Sequence, residues 1–210
     1  MRVTFIGLGA MGYPMAGHAA KQHEVCVWNR TAGVAEGHAK EFGTRALPDL
    51  EACANSDVIV TVLPTSNEVD QVLETIFPRL KKGTLWIEGT SGDPVASRRT
   101  AKRLGEKGVG FVDAPVTGGV PGATAGTLTV MVGGSSEDFV RAGEVLKTFG
   151  SRIVHVGQAG AGHAVKAMNN AMMGANVWVA AECLLALKKL GIDLKKAMEV
   201  INSGSGRSFA

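Results

Sequence analysis

Residues 1–12, MRVTFIGLGAMG, join a short apolar run to three glycines in G-x-G-x-x-G spacing. The apolar run predicts a strand, and a helix-prone stretch follows the glycines. In that order Gly7, Gly9 and Gly12 suit a tight turn, the close approach of a pyrophosphate and a contact between helix and strand. A second predicted strand, residues 24–28, follows at the expected distance. The stretch therefore predicts a dinucleotide-binding βαβ unit, rather than a glycine-rich turn without a ligand.

The end of the second strand carries the residues that distinguish the two nicotinamide dinucleotides. Folds that bind NAD place an Asp or Glu there, which accepts a hydrogen bond from the ribose 2′-hydroxyl. This chain has Asn29, Arg30 and Thr31 instead. A guanidinium and a hydroxyl can bind a 2′-phosphate, and no carboxylate at this place repels it. We therefore predict NADP as the cofactor, with NAD less favoured; the alternative is that Arg30 is a solvated loop charge.

Two later turns follow predicted strands at the sheet edge where the glycine turn lies. They are Leu63-Pro64-Thr65 and Gly89-Thr90-Ser91, and we expect both to border the cofactor. The alternative for Thr90 and Ser91 is to cap the helix that begins near Asp93. The predicted cofactor-binding residues are thus Gly7, Leu8, Gly9, Ala10, Met11, Gly12, Asn29, Arg30, Thr31, Leu63, Pro64, Thr65 and Thr90.

Predicted strands and helices alternate along residues 1–159, the order that builds a parallel sheet. The predicted strands are 2–6, 24–28, 57–62, 84–87, 109–112, 127–132 and 152–156, and the predicted helices are 10–20, 31–41, 66–76, 93–105 and 136–147. From residue 160 onward the pattern is wholly helical. We therefore predict an α/β chain. A Rossmann-type, doubly wound and mostly parallel sheet forms an NADP-binding domain over residues 1–159, and residues 160–210 begin an all-helical domain.

Lys166 is the only Asp, Glu, Lys or Arg between Ile153 and Ala181, in a segment that otherwise reads as a buried helix. Burial, or exposure to a cleft, would disfavour the charged form and move the pKa of this lysine toward the range useful for proton transfer. Asn169 and Asn170 follow three and four positions later and share its helix face. The alternative is a lysine that snorkels from the edge of a helix.

A glycine-rich stretch, residues 113–134, reads DAPVTGGVPGATAGTLTVMVGG. Around Thr117, Gly118 and Gly119 the backbone N–H groups are not covered by bulky side chains, which suits the binding of a carboxylate. On this interpretation the part of the stretch before the predicted strand 127–132 is an open loop that can hold a carboxylate. The alternative is a glycine-rich, hairpin-like turn without a ligand.

Composition and charge argue against several classes of protein. The 210 residues are 45% apolar, enough to bury a substantial core. The net charge of +3 arises from interspersed signs, which argues against nucleic acid as a partner. The three cysteines lack C-x-x-C spacing, so we predict neither a disulfide framework nor a metal site. No signal peptide precedes the first strand, and we expect a cytoplasmic protein.

Residues 164–187 form an apolar run long enough to raise the question of a membrane span. Lys166, three asparagines and Glu182 within the run favour a buried or subunit-packing helix instead. Its apolar side chains surround most of the helix, so it needs partners on several sides. We therefore predict no membrane partner, and a homo-oligomer that assembles through the helical domain.

Three ordered motifs, GLGAMGYPMAGH, DAPVTGGVPGATAGTLTVMVGG and GAGHAVKAMNNAM, resemble the β-hydroxyacid dehydrogenase family, most closely its 3-hydroxyisobutyrate dehydrogenase branch. In that family the first motif binds the nicotinamide cofactor, the second binds the substrate, and the lysine of the third transfers a proton. The resemblance implies substrate binding by Thr117, Gly118 and Gly119. It implies proton transfer by Lys166 with Asn170 beside it, and it leaves Asn169 as a further candidate for substrate binding.

The resemblance implies reversible hydride transfer between a nicotinamide and a small 3-hydroxy acid or its semialdehyde, with Lys166 as general acid and base. A glyoxylate, succinic semialdehyde or tartronate semialdehyde reductase shares every motif and stays open as an alternative. A 6-phosphogluconate dehydrogenase would be longer and would carry histidine in place of Asn169. A non-catalytic dinucleotide-binding protein of the same fold would have little need of Lys166.

Two features depart from the family pattern. Thr117 stands where serine is commoner, which keeps the hydroxyl but adds a methyl group near the substrate. The family's helical domain also continues for several helices more. We therefore expect residues 160–210 to be the beginning of an incomplete domain for substrate binding and oligomerisation.

Overall fold

The computed structural model describes residues 1–208 and contains two structural units, Met1–Lys166 and the residues from Ala167 onward. The first unit is an α/β domain built on one sheet, and the second is helical. The strands are β1 (Arg2–Ile6), β2 (Glu24–Trp28), β3 (Arg45–Ala46), β4 (Val58–Thr61), β5 (Leu85–Glu88), β6 (Gly110–Asp113), β7 (Val116–Thr117), β8 (Leu128–Gly134) and β9 (Gly150–Gly157). The α-helices are α1 (Gly12–Ala19), α2 (Ala32–Phe42), α3 (Ser66–Ile76), α4 (Pro94–Glu106), α5 (Gly119–Ala125), α6 (Ser136–Leu146), α7 (Ala161–Lys189) and α8 (Leu194–Ser203).

The strands join in one sheet in the order β3-β2-β1-β4-β5-β6-β8-β7, with β9 paired to β8. The six strands from β3 to β6 are parallel to their neighbours. Strand β8 runs antiparallel to β6 and β7, and β9 runs parallel to β8. Strands β2 and β4 lie on opposite sides of β1, so a crevice opens at the carboxyl ends of β1 and β4. The predicted Rossmann-type, mostly parallel sheet is therefore confirmed.

Helices cover both faces of the sheet, and buried apolar side chains fill the space beneath them. In β4, Val58 and Val60 belong to the core on one face, together with Met15 of α1. Ile59 belongs to the core on the other face, together with Leu73 of α3. Because both faces are covered, every residue of β4 and β5 is buried. Polar groups that serve a site must therefore lie at the ends of these strands.

The chief difference from the prediction lies in the glycine-rich stretch 113–134. The part before the predicted strand 127–132 was expected to be an open loop, but it contains the short strand β7 and the helix α5. Helix α5 lies between Gly118 and Gly126, whose φ angles are 124° and 70°. Its seven residues are too few for a hydrophobic period, so neighbouring elements stabilise it: the ring of His18 in α1 bonds the carbonyl oxygen of Thr124 over 2.9 Å. The two-residue strand β3 was also missed.

Helix α7 is longer than the predicted run 164–187 and continues from the first unit into the second. Its first turn is the buried part, with Gly162 and His163 inaccessible to solvent. A mean hydropathy of 1.3 over 18 of its residues would also suit a membrane-spanning helix, a property shared by many core helices of water-soluble proteins. Length and composition alone therefore do not assign this helix to a membrane.

Two helical glycines test the contact between the glycine turn and α1. A Cβ atom at Gly12 would lie 2.1 Å from the carbonyl oxygen of Gly7, whereas one at Gly37 in α2 would meet no atom within 4 Å. We expect Gly12→Ala to lower the free energy of unfolding by roughly 2 kcal/mol or more, because backbone must move. Gly37→Ala should raise it by up to about 1 kcal/mol, since alanine favours the helix. Urea unfolding measures both free energies. Equal free energies of unfolding for Gly12→Ala and Gly37→Ala would contradict this packing.

Candidate cofactor cleft and active site

A cleft of about 600 Å³ opens at the carboxyl ends of β1, β2 and β4. It is lined by Gly7, Gly9, Ala10, Met11, Gly12, Trp28, Asn29, Arg30, Thr31, Leu50, Val62, Leu63, Pro64, Glu68, Gln71, Val72 and Thr75. The predicted cofactor-binding residues thus lie together here, except Leu8, Thr65 and Thr90. Sequence reasoning missed the apolar wall formed by Trp28, Leu50 and Val72, because these residues read as ordinary core positions.

The glycine turn leaves room for a ligand on one side only. Gly7 has a φ of 99°, and a Cβ atom there would lie 2.3 Å from the carbonyl oxygen of Val62. At Gly9, by contrast, a Cβ atom would meet nothing within 4 Å, so this backbone faces open space. Helix α1 begins three residues later at Gly12, with its amino end toward the turn. This geometry fits the pyrophosphate of a dinucleotide, which backbone N–H groups and a helix N-terminus stabilise.

Asn29 fixes the shape of the glycine turn from the neighbouring strand. Its Oδ1 accepts a hydrogen bond from the backbone N–H of Leu8 over 3.1 Å, and its Nδ2 donates to the carbonyl oxygen of Thr31 over 3.2 Å. The amide of Asn29 is therefore engaged within the protein. Arg30 and Thr31 are exposed at the rim of the cleft, where their side chains are available to a ligand.

Glu68 brings a carboxylate into the cleft that sequence reasoning did not anticipate. It is the third residue of α3, and its Oε2 accepts a hydrogen bond from the backbone N–H of Thr65 over 2.9 Å. The Oγ1 of Thr65 in turn accepts from the backbone N–H of Asn67, which completes a capping box. The hydrogen bond from the Thr65 side chain lowers the pKa of Glu68, and Arg30 adds a smaller effect in the same direction. Thr65 therefore caps α3 and does not line the cleft.

Thr90 lies outside the lining of the cleft and contacts one of the loops that form it. Its side chain is buried, and its Oγ1 accepts a hydrogen bond from the backbone N–H of Leu63 over 3.1 Å. Its carbonyl oxygen lies 2.7 Å from Nε2 of His163. Thr90 thus connects the loop that carries Leu63 and Pro64 with the start of α7.

Lys166 is half-buried in the second turn of α7, at the last position of the first unit. Burial lowers the pKa of its amine from the ordinary value. Asn169 and Asn170 follow on the same helix in the second unit, where Nδ2 of Asn169 approaches Oδ1 of Asn170 to 3.4 Å. Lys166, Asn169 and Asn170 thus belong to one helix, and their shared role stays a prediction.

Thr117 ends β7, Gly118 forms the turn that follows, and Gly119 begins α5. Thr117 is half-buried, while both glycines are exposed and have positive φ angles of 124° and 61°. In such a turn the backbone N–H groups are free of flanking side chains, as anion binding requires. Among the residues that the structure describes, these three and Lys166 lie outside the lining of the 600 Å³ cleft.

A buried polar cluster that the sequence analysis missed anchors the first turn of α7. The carboxylate of Asp113, at the end of β6, accepts hydrogen bonds from the backbone N–H groups of Gly160 and His163 over 2.6 and 2.8 Å. Nδ1 of His163 lies 2.6 Å from the hydroxyl of Ser97. That hydroxyl lies 3.4 Å from the carboxyl of Glu88, at the end of β5. The signal in the sequence was an acidic residue at the end of each of two apolar strands.

Burial changes the ionisation of this cluster. Burial first, and then the carboxylate of Asp113, raises the pKa of Glu88 to about 8. Burial lowers the pKa of His163, while Asp113 and Asp93 act in the opposite direction. At neutral pH the cluster therefore holds a protonated Glu88 and a neutral imidazole.

Comparison with known proteins agrees with the fold and the cleft. Residues 2–157 match the family model described as the NAD binding domain of 6-phosphogluconate dehydrogenase. Residues 160–210 match the model described as NAD-binding of NADP-dependent 3-hydroxyisobutyrate dehydrogenase. Together the cleft and these matches define a nicotinamide-dependent oxidoreductase.

Individual relatives are similar over nearly the whole chain. A 2-(hydroxymethyl)glutarate dehydrogenase of Eubacterium barkeri is 38% identical over 100% of this chain and 71% of its own length. The mitochondrial 3-hydroxyisobutyrate dehydrogenase of Drosophila melanogaster is 34% identical over 99% of this chain and 65% of its own length. The structure of Mycobacterium tuberculosis 3-hydroxyisobutyrate dehydrogenase with L-serine superposes with a TM-score of 0.91, at 32% identity, over 99% of this chain and 72% of that one. The chain belongs to the β-hydroxyacid dehydrogenase family of NAD(P)-dependent enzymes, and it spans 65–72% of the length of these relatives.

The raised pKa of Glu88 predicts a pH-dependent stability. Its folded pKa of about 8 exceeds the ordinary 4.5, so the folded state holds an extra proton between these values. The resulting stabilisation is complete below pH about 4.5 and is lost as the pH rises through about 8. The variant Glu88→Gln keeps a neutral side chain of the same shape. Relative to wild type, we expect its free energy of unfolding to increase from pH 5 to 8.5, by at most about 1.4 kcal/mol per pH unit.

Urea unfolding at several pH values measures this difference. Glu74→Gln is the matched control, because Glu74 is exposed and its hydrogen bond with Arg103 lowers its pKa. Its difference from wild type should stay constant over the same range. Wild type and Glu88→Gln with parallel pH profiles would show that Glu88 is not held protonated.

Proposed function

We propose that this chain forms the cofactor-binding and proton-transfer part of an NADP-dependent dehydrogenase of small 3-hydroxy acids, with 3-hydroxyisobutyrate as substrate. The observation that carries the proposal is Lys166, a half-buried amine with a lowered pKa on a helix anchored to the carboxyl ends of β5 and β6. Proton transfer near neutral pH needs such an amine, and the same sheet edge holds the dinucleotide cleft.

The preference for NADP rests on the rim of the cleft. Arg30 and Thr31 offer a guanidinium and a hydroxyl at the end of β2, where a 2′-phosphate would lie. The carboxylate of Glu68 is held by the cap of α3, which limits its reach toward that phosphate. When bound, the nicotinamide accepts or supplies the hydride.

Lys166 accepts the proton of the substrate hydroxyl and returns it in the reverse reaction. In the direction of oxidation the hydroxyl-bearing carbon loses a hydride, and the hydroxyl oxygen loses a proton to the neutral amine of Lys166, so that a carbonyl forms. In the reverse direction the ammonium of Lys166 returns that proton to the oxygen. Because burial lowers the pKa of the amine, both forms are accessible nearer to neutral pH than for a solvated lysine. Asn170, four positions along α7, holds the substrate or the amine in line, with Asn169 as a second candidate.

The substrate class follows from the carboxylate-binding turn and from the relatives. Thr117, Gly118 and Gly119 offer a hydroxyl and backbone N–H groups for one carboxylate. 2-(Hydroxymethyl)glutarate and 3-hydroxyisobutyrate, the substrates named for two relatives, both carry a hydroxymethyl group on the carbon next to a carboxylate. We infer the same arrangement for the substrate of this chain. The methyl group of Thr117 narrows the space beside the carboxylate, which favours a small substituent.

Arg30→Ala tests the choice of cofactor. Loss of a charge-assisted contact with the 2′-phosphate should lower kcat/KM for NADP. The fall should correspond to a loss of roughly 1.5–3 kcal/mol in transition-state stabilisation, while kcat/KM for NAD stays nearly unchanged. The matched control is Lys40→Ala, which removes an exposed cation of α2 that does not line the cleft. Steady-state kinetics with both cofactors measure the effect. Equal losses for NADP and NAD would overturn the assignment of Arg30 to the 2′-phosphate.

Lys166→Ala tests the proton transfer. We expect kcat to fall by about 10²–10⁴, because a positioned general base contributes this much, while NADP binding measured by fluorescence stays near wild type. Turnover is measured with 3-hydroxyisobutyrate and, in parallel, with glyoxylate, succinic semialdehyde and tartronate semialdehyde. Lys188→Ala, a change near the other end of α7, serves as control. A Lys166→Ala protein that keeps most of its kcat would remove the lysine from the mechanism.

A further inference from the structure

The buried cluster at the start of α7 is more than an anchor, because it links the cofactor cleft to Lys166. From the cleft inward, the backbone N–H of Leu63 donates to Oγ1 of Thr90, and the carbonyl oxygen of Thr90 bonds Nε2 of His163. His163 lies three positions before Lys166 on the same helix. Residues three apart are neighbours on a helix, so whatever holds His163 also places Lys166.

The hydrogen bonds that join Thr90, His163 and Ser97 have a definite direction. The carbonyl oxygen of Thr90 can only accept, so Nε2 of His163 carries the proton between them. Nδ1 of the neutral ring then accepts, and the hydroxyl of Ser97 donates to it over 2.6 Å. The same hydroxyl lies 3.2 Å from the carbonyl oxygen of Asp93 and 3.4 Å from Oε2 of Glu88, both longer contacts than the one with Nδ1. The donors therefore run from the Ser97 hydroxyl to Nδ1 of His163, and from Nε2 of His163 to the carbonyl oxygen of Thr90.

The backbone around His163 leaves little freedom for other arrangements. A Cβ atom at Gly162 would lie 2.4 Å from the carbonyl oxygen of Met131, and one at Gly160 would lie 2.5 Å from that of Pro94. Because neither glycine carries a side chain, the backbone at the start of α7 packs directly against β8 and the start of α4. The imidazole, which is 1% exposed, joins this turn to the loop after β5 with both of its nitrogens bonded.

We propose that His163 is a positioning residue, which couples the cleft loop that carries Leu63 and Pro64 to Lys166 and so sets the environment of the lysine amine. This inference rests on the proposed role of Lys166 in proton transfer. The titratable and charged groups near His163 come from each neighbouring element: the protonated Glu88 at the end of β5, Asp113 at the end of β6, Asp93 before α4, Arg98 of α4, and Lys166 itself. The change His163→Leu removes a neutral imidazole and leaves each of these residues in place, so we expect its effect on Lys166 to be one of position.

The coupling can be measured on Lys166 directly, without turnover. In the full chain, reductive ¹³C-methylation followed by NMR titration gives the pKa of the Lys166 amine, assigned by its loss in Lys166→Arg. We expect His163→Leu to raise this pKa toward the ordinary lysine value, because a loosened turn exposes the amine to water. His163→Gln should restore it, since the amide N–H can donate to Thr90 and the amide oxygen can accept from Ser97. An unchanged pKa in a folded His163→Leu protein would overturn the proposal.

His38→Leu is the matched control for the loss of a buried imidazole. His38 is fully buried, and its ring nitrogens bond Oγ1 of Thr44 over 2.8 Å and the carbonyl oxygen of Tyr13 over 3.0 Å. Its removal should leave the pKa of Lys166 at the wild-type value. A shift as large as that of His163→Leu would mean a general loosening of the fold and would contradict the specific role. If His163→Leu does not fold, Ser97→Ala, which removes the donor to Nδ1 and keeps the ring, should give a smaller shift in the same direction.

Turnover separates this inference from the proposed function. His163→Leu should lower kcat about tenfold or more with little change in KM for NADP, because misplacement of a catalytic group costs rate rather than binding. In a Lys166→Ala background the same change should have no further effect on kcat. Independent, multiplicative losses would contradict action through Lys166. If Lys166→Ala itself keeps its kcat, the proposed function fails, while the titration still decides whether His163 positions the lysine.

Discussion

The close contact between the glycine turn and α1 is the constraint on which the rest of the molecule depends. The carbonyl of Gly7 faces the Cα of Gly12, and Val62 of the loop after β4 packs against both. No side chain fits between them, so β1, β4 and α1 meet at one spacing. That spacing places the amino end of α1 beneath the cleft and leaves the backbone of Gly9 open to it. The cofactor site is thus a consequence of packing, before any polar contact is considered.

A second anchor brings the start of α7 to the same edge of the sheet. Strand β8 runs antiparallel to β6, and their carboxyl ends pair, with Asp113 opposite Gly133. Strand β9 ends beside Gly133, so the chain enters α7 within reach of the Asp113 carboxylate. A reversal of strand direction therefore allows residues about 50 positions after β6 to return to the end of the parallel sheet. The buried carboxylate replaces the side-chain cap that the start of α7 would otherwise need.

Local chemistry explains which features the sequence could predict. The glycine turn, five of the six parallel strands and helix 66–76 follow from short-range patterns, and α3 has the predicted bounds. Helix α5 was missed because it is short and held by its neighbours. The cluster around His163 was missed because its partners, Ser97 and Thr90, lie 66 and 73 residues away in sequence. The hydrophobic periodicity of a sequence gives no information about contacts between such distant residues. Glu68 was missed for a related reason: its capping role is visible in the sequence, but its place in the cleft depends on the packing of α3.

The anchoring of α7 also limits how the two halves of this architecture can be recombined. The boundary in composition falls near residue 160, yet contacts cross it. Asp113 accepts a hydrogen bond from Gly160 and lies close to Gly162, and His163 is hydrogen-bonded to Ser97 and Thr90. A chimera joined at this boundary would pair one parent's carboxylate and serine with another parent's imidazole. Only parents that share the whole set would keep the helix in register with the sheet. The functional junction between the halves therefore lies beyond Lys166, inside the helix, rather than at its first residue.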